Sequence, residues 1–221
     1  MKAKYLALLA MLLFGILAVS PSAIAGTLDV GDIIVFSGVP GHSNGGEFIA
    51  TDTDAVDPFG AFNTFCIERN ESMSFGVPYF VYDISDSADA GGAGGGSPDP
   101  ISPETDYLFY LFTTGQLQNY DRSPAAQYAL SRVFWYLEDE VTSISGTLQN
   151  DYYAQALGGQ GQAWGTQVVN IGTLIQGPTG AAPTYIKRQS VLWNPVPEPA
   201  SLLLLGLGLC SVGIISRKRS R

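Results

Sequence analysis

Cys66, in the stretch FNTFCIERNES over residues 62–72, is the only thiol in the chain besides Cys210 near the C-terminus. Four fates are open to it. A free cysteine most often packs as a small buried hydrophobe, and in an oxidising compartment it can instead bridge to a second chain. Given a base it becomes a nucleophile, and His42, the only histidine, is the one imidazole that could serve. Its thiolate can also displace ammonia from a glutamine carboxamide. That leaves an internal thioester, a masked electrophile that an amine on another surface opens. No second Cys or His remains for a zinc site, and no cofactor is implied. The other chemistry-bearing cluster is acidic. In TDTDAVDPFG, Asp52, Asp54 and Asp57 stand close enough to share calcium. A calcium loop alternates its oxygens, turns at a Gly and closes with a Glu. Here the alternation breaks after Asp54 and Pro58 intrudes, so an acidic solvated loop competes with a metal site.

The termini say where these residues work. Lys2 and Lys4 precede an apolar run, and Ala23-Ile24-Ala25 closes it. This reads as a signal peptide over 1–25, with the mature chain beginning at Gly26. At the other end, VPEPASLLLLGLGLCSVGIISRKRSR carries Pro197-Glu198-Pro199, an uncharged stretch and the basic stop Arg217, Lys218, Arg219 and Arg221. A bilayer core takes roughly 20 apolar residues, so this reads as a short transmembrane helix, marginal in length as a permanent anchor, whose basic end is expected to face the cytoplasm. The three pieces in this order, over 194–221, resemble the PEP-CTERM sorting signal. The resemblance implies handling by an exosortase of a Gram-negative bacterium that makes exopolysaccharide. It also implies a signal peptidase, transit anchored in the inner membrane and delivery to the cell surface or beyond.

Between these ends, 26–193 is long enough for one domain with a real core. Six of the 11 Lys and Arg lie in the terminal signals, whereas 19 of the 20 acids lie between Gly26 and Val196, where the net charge is therefore near −14. Nucleic acid is excluded as a partner, since phosphate binding needs clustered cations.

Four strands are predicted at 31–38, 47–53, 61–68 and 78–85, rich in Val, Ile, Phe and Tyr and bounded by turn residues. A flexible Gly-rich loop follows at 86–103, with five Gly in the six positions 91–96. The period then changes. Ser102-Pro103 and Ser123-Pro124 each open a helix with a capping Ser and Pro at the first position. In the second helix Ala126, Leu130, Val133, Phe134, Leu137 and Val141 form an apolar stripe. Further helices are expected at 148–157 and 162–176, and 185–194 as a returning strand. The expected class is α+β, a strand-rich sheet or small barrel packed with C-terminal helices.

FCIE on a strand, followed by a helix ending WYLEDE, is similar to the Cys-Gln thioester domains of bacterial surface adhesins. That resemblance, over roughly 61–140, implies a glutamine four residues before the tryptophan. Four before Trp135 is Ser131, which has no carboxamide. Gln127 lies one helical turn earlier on nearly the same face, a rise of about 5.4 Å, and is the remaining thioester candidate for Cys66. The sequence therefore points to an exported surface or matrix protein, not an enzyme, with a structural or adhesive role linked to exopolysaccharide and biofilm. Covalent attachment to surface amines through Cys66–Gln127 is the first alternative, and a thiol hydrolase using Cys66 and His42 the second.

Overall fold

The computed structural model describes residues 27–41, 45–53, 60–89, 92–94, 96–159, 161–175 and 184–195. The signal peptide, His42, Asp54, Asp57, the Pro197-Glu198-Pro199 motif, the apolar run and the basic stop lie outside them. Within them the strands are β1 (Ile33–Gly38), β2 (Phe48–Asp52), β3 (Ala61–Thr64), β4 (Pro78–Ser85), the short β5 (Ser87–Ala88) and β6 (Asp99–Pro100), β7 (Gln167–Ile175) and β8 (Thr184–Trp193). Three helices, α1 (Pro103–Thr113), α2 (Pro124–Leu137) and α3 (Thr147–Ala156), lie between β6 and β7. The α+β class follows directly. Among the described residues no helix is long and apolar enough to cross a membrane.

Six strands form one antiparallel sheet in the order β3-β2-β1-β4-β7-β8. Its two ends meet. Immediately after β3, Cys66 bridges Val191 of β8 in antiparallel fashion. Leu192 N–H donates to the Phe65 carbonyl at 3.2 Å and Ile67 N–H to the Ser190 carbonyl at 3.3 Å. Thr64 Oγ1 adds a bond to the Leu192 carbonyl at 2.5 Å. The sheet thus curls into a small closed barrel, which leaves neither β3 nor β8 as a bare edge at the seam.

Strand alternation then sorts the apolar side chains into two cores. Ile34, Phe36, Phe48, Ala50, Cys66, Val81, Val169, Ile171 and Val191 point together into the barrel. Phe65, Ile67, Val168 and Leu192, their immediate neighbours in sequence, point the other way and meet Leu108, Phe109, Leu130, Val133 and Phe134 of the helices. Both helix openings form as expected. Ser102 Oγ accepts from Thr105 N–H and Ser123 Oγ from Ala126 N–H, each at 3.2 Å, with Pro next in line.

The helix expected at 162–176 is corrected: most of it is strand β7. Two glycines at positive φ, Gly161 (+85°) and Gly165 (+88°), break the approach to it. The Asp106 carboxylate also holds that approach extended, accepting from Trp164 N–H at 2.7 Å and Thr166 N–H at 2.9 Å. VVNI then lies with both faces buried, one toward the barrel and one toward the helices, so it lacks the alternation that marks a half-exposed strand.

The described part of the Gly-rich stretch is held, not free. Glu140 Oε1 accepts from Ala93 N–H at 2.6 Å and Gly94 N–H at 3.0 Å. A Cβ on Gly94 would fall 2.4 Å from the Asp139 carbonyl oxygen, a backbone atom that cannot step aside. Gly94→Ala is therefore expected to destabilise the domain by about 1–3 kcal/mol, as overpacking does. Urea unfolding against wild type is the check.

Candidate functional site

An open cavity of about 670 Å³ lies beside Cys66, between the segment 66–75 and one face of α2. The barrel seam positions the segment, and the 3.6-residue repeat of α2 brings Tyr128, Arg132 and Trp135 to the same side. Gly45, with φ +80°, comes so close that a Cβ there would sit 2.4 Å from the Trp135 ring and 2.6 Å from Ser131 Oγ. Only glycine fits that approach. Phe48, Glu68, Arg69, Glu71, Phe75 and Gln189 add further charge, rings and an amide to the wall.

Cys66 is 7% exposed and belongs to the barrel core. Burial pushes its thiol well above the usual range, and the neighbouring Glu68 carboxylate pushes it further in the same direction. At neutral pH the group is a thiol, and the thiolate that nucleophilic attack requires is suppressed. Glu68 is itself buried. Its Oε2 accepts from Ser190 N–H at 2.8 Å, and its backbone carbonyl accepts from Gln189 Nε2 at 2.6 Å. Burial raises the Glu68 carboxyl above the ordinary carboxylate value, and the Ser190 bonds partly offset that.

Gln127 is fully buried on α2. Its Nε2 donates to the Arg122 carbonyl at 2.7 Å and to the Pro40 carbonyl at 3.3 Å, and Oε1 has no hydrogen-bond partner. No hydrogen bond joins its carboxamide to Cys66. Ser131 Oγ and Trp135 Nε1, one and two turns on, are likewise buried without a partner. Asp52, the described member of the calcium candidate, is a buried β2 residue. Among the described residues no group of three or more His, Cys, Asp or Glu side chains could hold a metal ion.

Comparison with family models places the PEP-CTERM protein-sorting motif on residues 195–220. This is an exported, exosortase-sorted protein. Neither the curated proteins nor the solved structures contain a match to the chain. The sorting motif begins two residues after β8 ends at Trp193, so the chain passes straight from its last barrel strand into the matched motif.

The sequence reading missed the working acids of the sorted protein's WYLEDE segment. Glu138 Oε1 accepts from Ser102 N–H at 3.1 Å and Ser102 Oγ at 2.8 Å, fastening the start of α1. Glu140 Oε2 accepts from Arg69 N–H at 2.7 Å while Oε1 holds the Gly-rich stretch. Between them Asp139 adopts φ +58°, which reverses the chain as α2 ends. Two acids flanking one residue at a helix end are the only local signal of this, and it does not tell an inward carboxylate from a solvated one. Glu47 does similar work just before β2. It is fully buried and accepts from Asn63 Nδ2 and from Tyr120 Oη (2.7 Å), with Arg122 Nη2 at 3.5 Å.

Burial raises the Glu138 carboxyl, as it does that of Glu68, against the opposing pull of its Thr105 and Ser102 bonds. A folded-state value above the unfolded one means the native protein binds that proton more tightly. The corresponding stability is present below the ordinary Glu value of about 4.3 and is lost as pH rises through the folded-state value. Glu138→Gln keeps an acceptor for Ser102 but cannot ionise. Unfolding free energy measured across the acid-to-neutral range should fall less with rising pH in that variant than in wild type.

Proposed function

We propose that the barrel-and-helix domain over 26–193 is a non-catalytic structural or adhesive element of the cell surface or extracellular matrix, working in contact with exopolysaccharide. The observation that carries this is the sorting motif joined directly to the last barrel strand. A domain with no long linker before its sorting signal is held close to whatever receives it. The strong negative charge of the domain keeps it soluble outside the cell. The suppressed Cys66 thiolate supports a holding role over a thiol hydrolase.

The experiment is made in an exosortase-bearing host. Wild-type protein should be recovered at the cell surface or in the medium, shorter than the full chain. Replacing Pro197-Glu198-Pro199 with alanines should leave a full-length chain in the membrane fraction. Equal processing and distribution of the two proteins would overturn the sorting half of the proposal.

Non-covalent holding and a thioester also differ by mass. The Gln127 Nε2 that a thioester would expel is engaged in two hydrogen bonds. The intact mass of the processed chain should therefore equal that of its sequence. A mass lower by about 17 Da, the ammonia released on thioester formation, restored with substitution by methylamine, would replace this reading with covalent attachment through Cys66 and Gln127.

A further inference from the structure

The domain carries five cationic side chains between Gly26 and Val196: Arg69, Arg122, Arg132, Lys187 and Arg188. Two are in ion pairs, Arg122 with Glu47 and Lys187 with Asp89, and Arg188 Nε donates to Thr173 Oγ1. The other two, Arg69 and Arg132, line the same cavity beside Cys66. Among the described residues neither is in a salt bridge, and the guanidinium of Arg132 donates from Nη2 to the Ser143 carbonyl at 3.0 Å. In a domain with so large an acidic excess, two arginines outside the ion pairs of the described residues share one concave wall, and beside Glu68 and Glu71 they offer it planar donors that suit a carboxylate.

The rest of the wall narrows the anion. Trp135 and the exposed rings of Tyr128 (43%) and Phe75 (46%) border the cavity, so flat apolar faces stand beside the cations. Glu71 adds a carboxylate that accepts hydrogen bonds, and Gln189 adds an amide whose Nε2 is committed to the Glu68 carbonyl. Glu68 also lines it, but its Oε2 is committed to Ser190 N–H and its carboxyl is buried. Aromatic faces suit the C–H face of a sugar ring, amide and carboxylate groups suit its hydroxyls, and an arginine pair suits carboxylates carried along a chain. The volume of about 670 Å³ is within the range of sites for ligands of a few rings.

We infer that this cavity binds a carboxylate-bearing saccharide, a uronate segment of an acidic polysaccharide, through Arg69 and Arg132 with Trp135 and Tyr128 as ring platforms. The inference deepens the adhesive reading and rests on it only for where the ligand is met.

The test uses the full purified chain and isothermal titration with oligogalacturonate. The neutral oligogalactan of equal length and oligoglutamate, an acidic peptide, are the comparisons. Oligogalacturonate should bind, and added salt should weaken it. Arg69 is exposed, so Arg69→Glu should leave the circular-dichroism spectrum unchanged and weaken binding by about tenfold or more. Trp135→Phe should weaken it less, and Lys187→Glu, outside the cavity, should leave it unchanged. Absence of binding would overturn the site, as would equal affinity for the neutral oligomer or for oligoglutamate, or indifference to Arg69→Glu. Failure here leaves sorting untouched, whereas a failure of the alanine replacement at 197–199 leaves binding by the purified chain untouched. The two ideas therefore fail separately.

Discussion

The join between the segment 65–67 and β8 is the constraint on which the other features depend. A six-stranded antiparallel sheet that stayed open would present two rows of unpaired backbone groups. Here one short bridge, Cys66 to Val191, joins the two ends and pairs the backbone at the seam. It is a non-hydrogen-bonded pair flanked by two ladder bonds, the arrangement in which facing side chains come closest. A small side chain suits that place. Cys66 therefore has a structural reason to exist that requires no partner thiol and no reaction.

Closure also explains the second layer. Once the seam forms, alternation turns Phe65, Ile67, Val168 and Leu192 outward as one apolar patch, and the helices cover it. The helices are then tied by carboxylates turned inward. Glu138 holds the start of α1, Glu140 holds Arg69 N–H and the Gly-rich stretch, and Asp106 holds the approach to β7. Each of these acids spends its oxygens on backbone N–H groups of loops that have no strand or helix to satisfy them. Asn170 plays the neutral counterpart where the β7 ladder shifts register. It donates to Asp83 and to the Ser87 carbonyl and accepts from Asp89 N–H and Ser190 Oγ. A domain this acidic is thus not acidic only for solubility.

The parts of the fold governed by short-range rules were legible in the sequence. The first four strands, both Ser-Pro helix openings and the stripe along α2 each follow from neighbours a few residues apart. The error at 162–176 arose where a strand is buried on both faces and its apolar residues lose their alternation. The site was legible only in part. Cys66 and Trp135 stand out by type, and both line the cavity. The bridge to Val191, the inward turn of Glu138 and Glu140 and the meeting of Arg69 with Arg132 depend on which distant segments touch. No local pattern encodes that. Gln127 shows the same limit from the other side: helical spacing made it the thioester candidate, while its hydrogen bonds go to Arg122 and Pro40.

The position of β8 has a mechanical consequence. This strand is paired on both sides, with β7 and with the segment that follows β3, and its last residues lead into the sorting motif. Any pull transmitted through the C-terminal end enters the barrel along β8. A load applied at the segment that follows Cys66 reaches β8 through the seam bonds. The two loads meet as shear across antiparallel ladders, where several hydrogen bonds share the tension, in place of peeling one after another. A tethered domain in moving fluid would resist opening best in that direction.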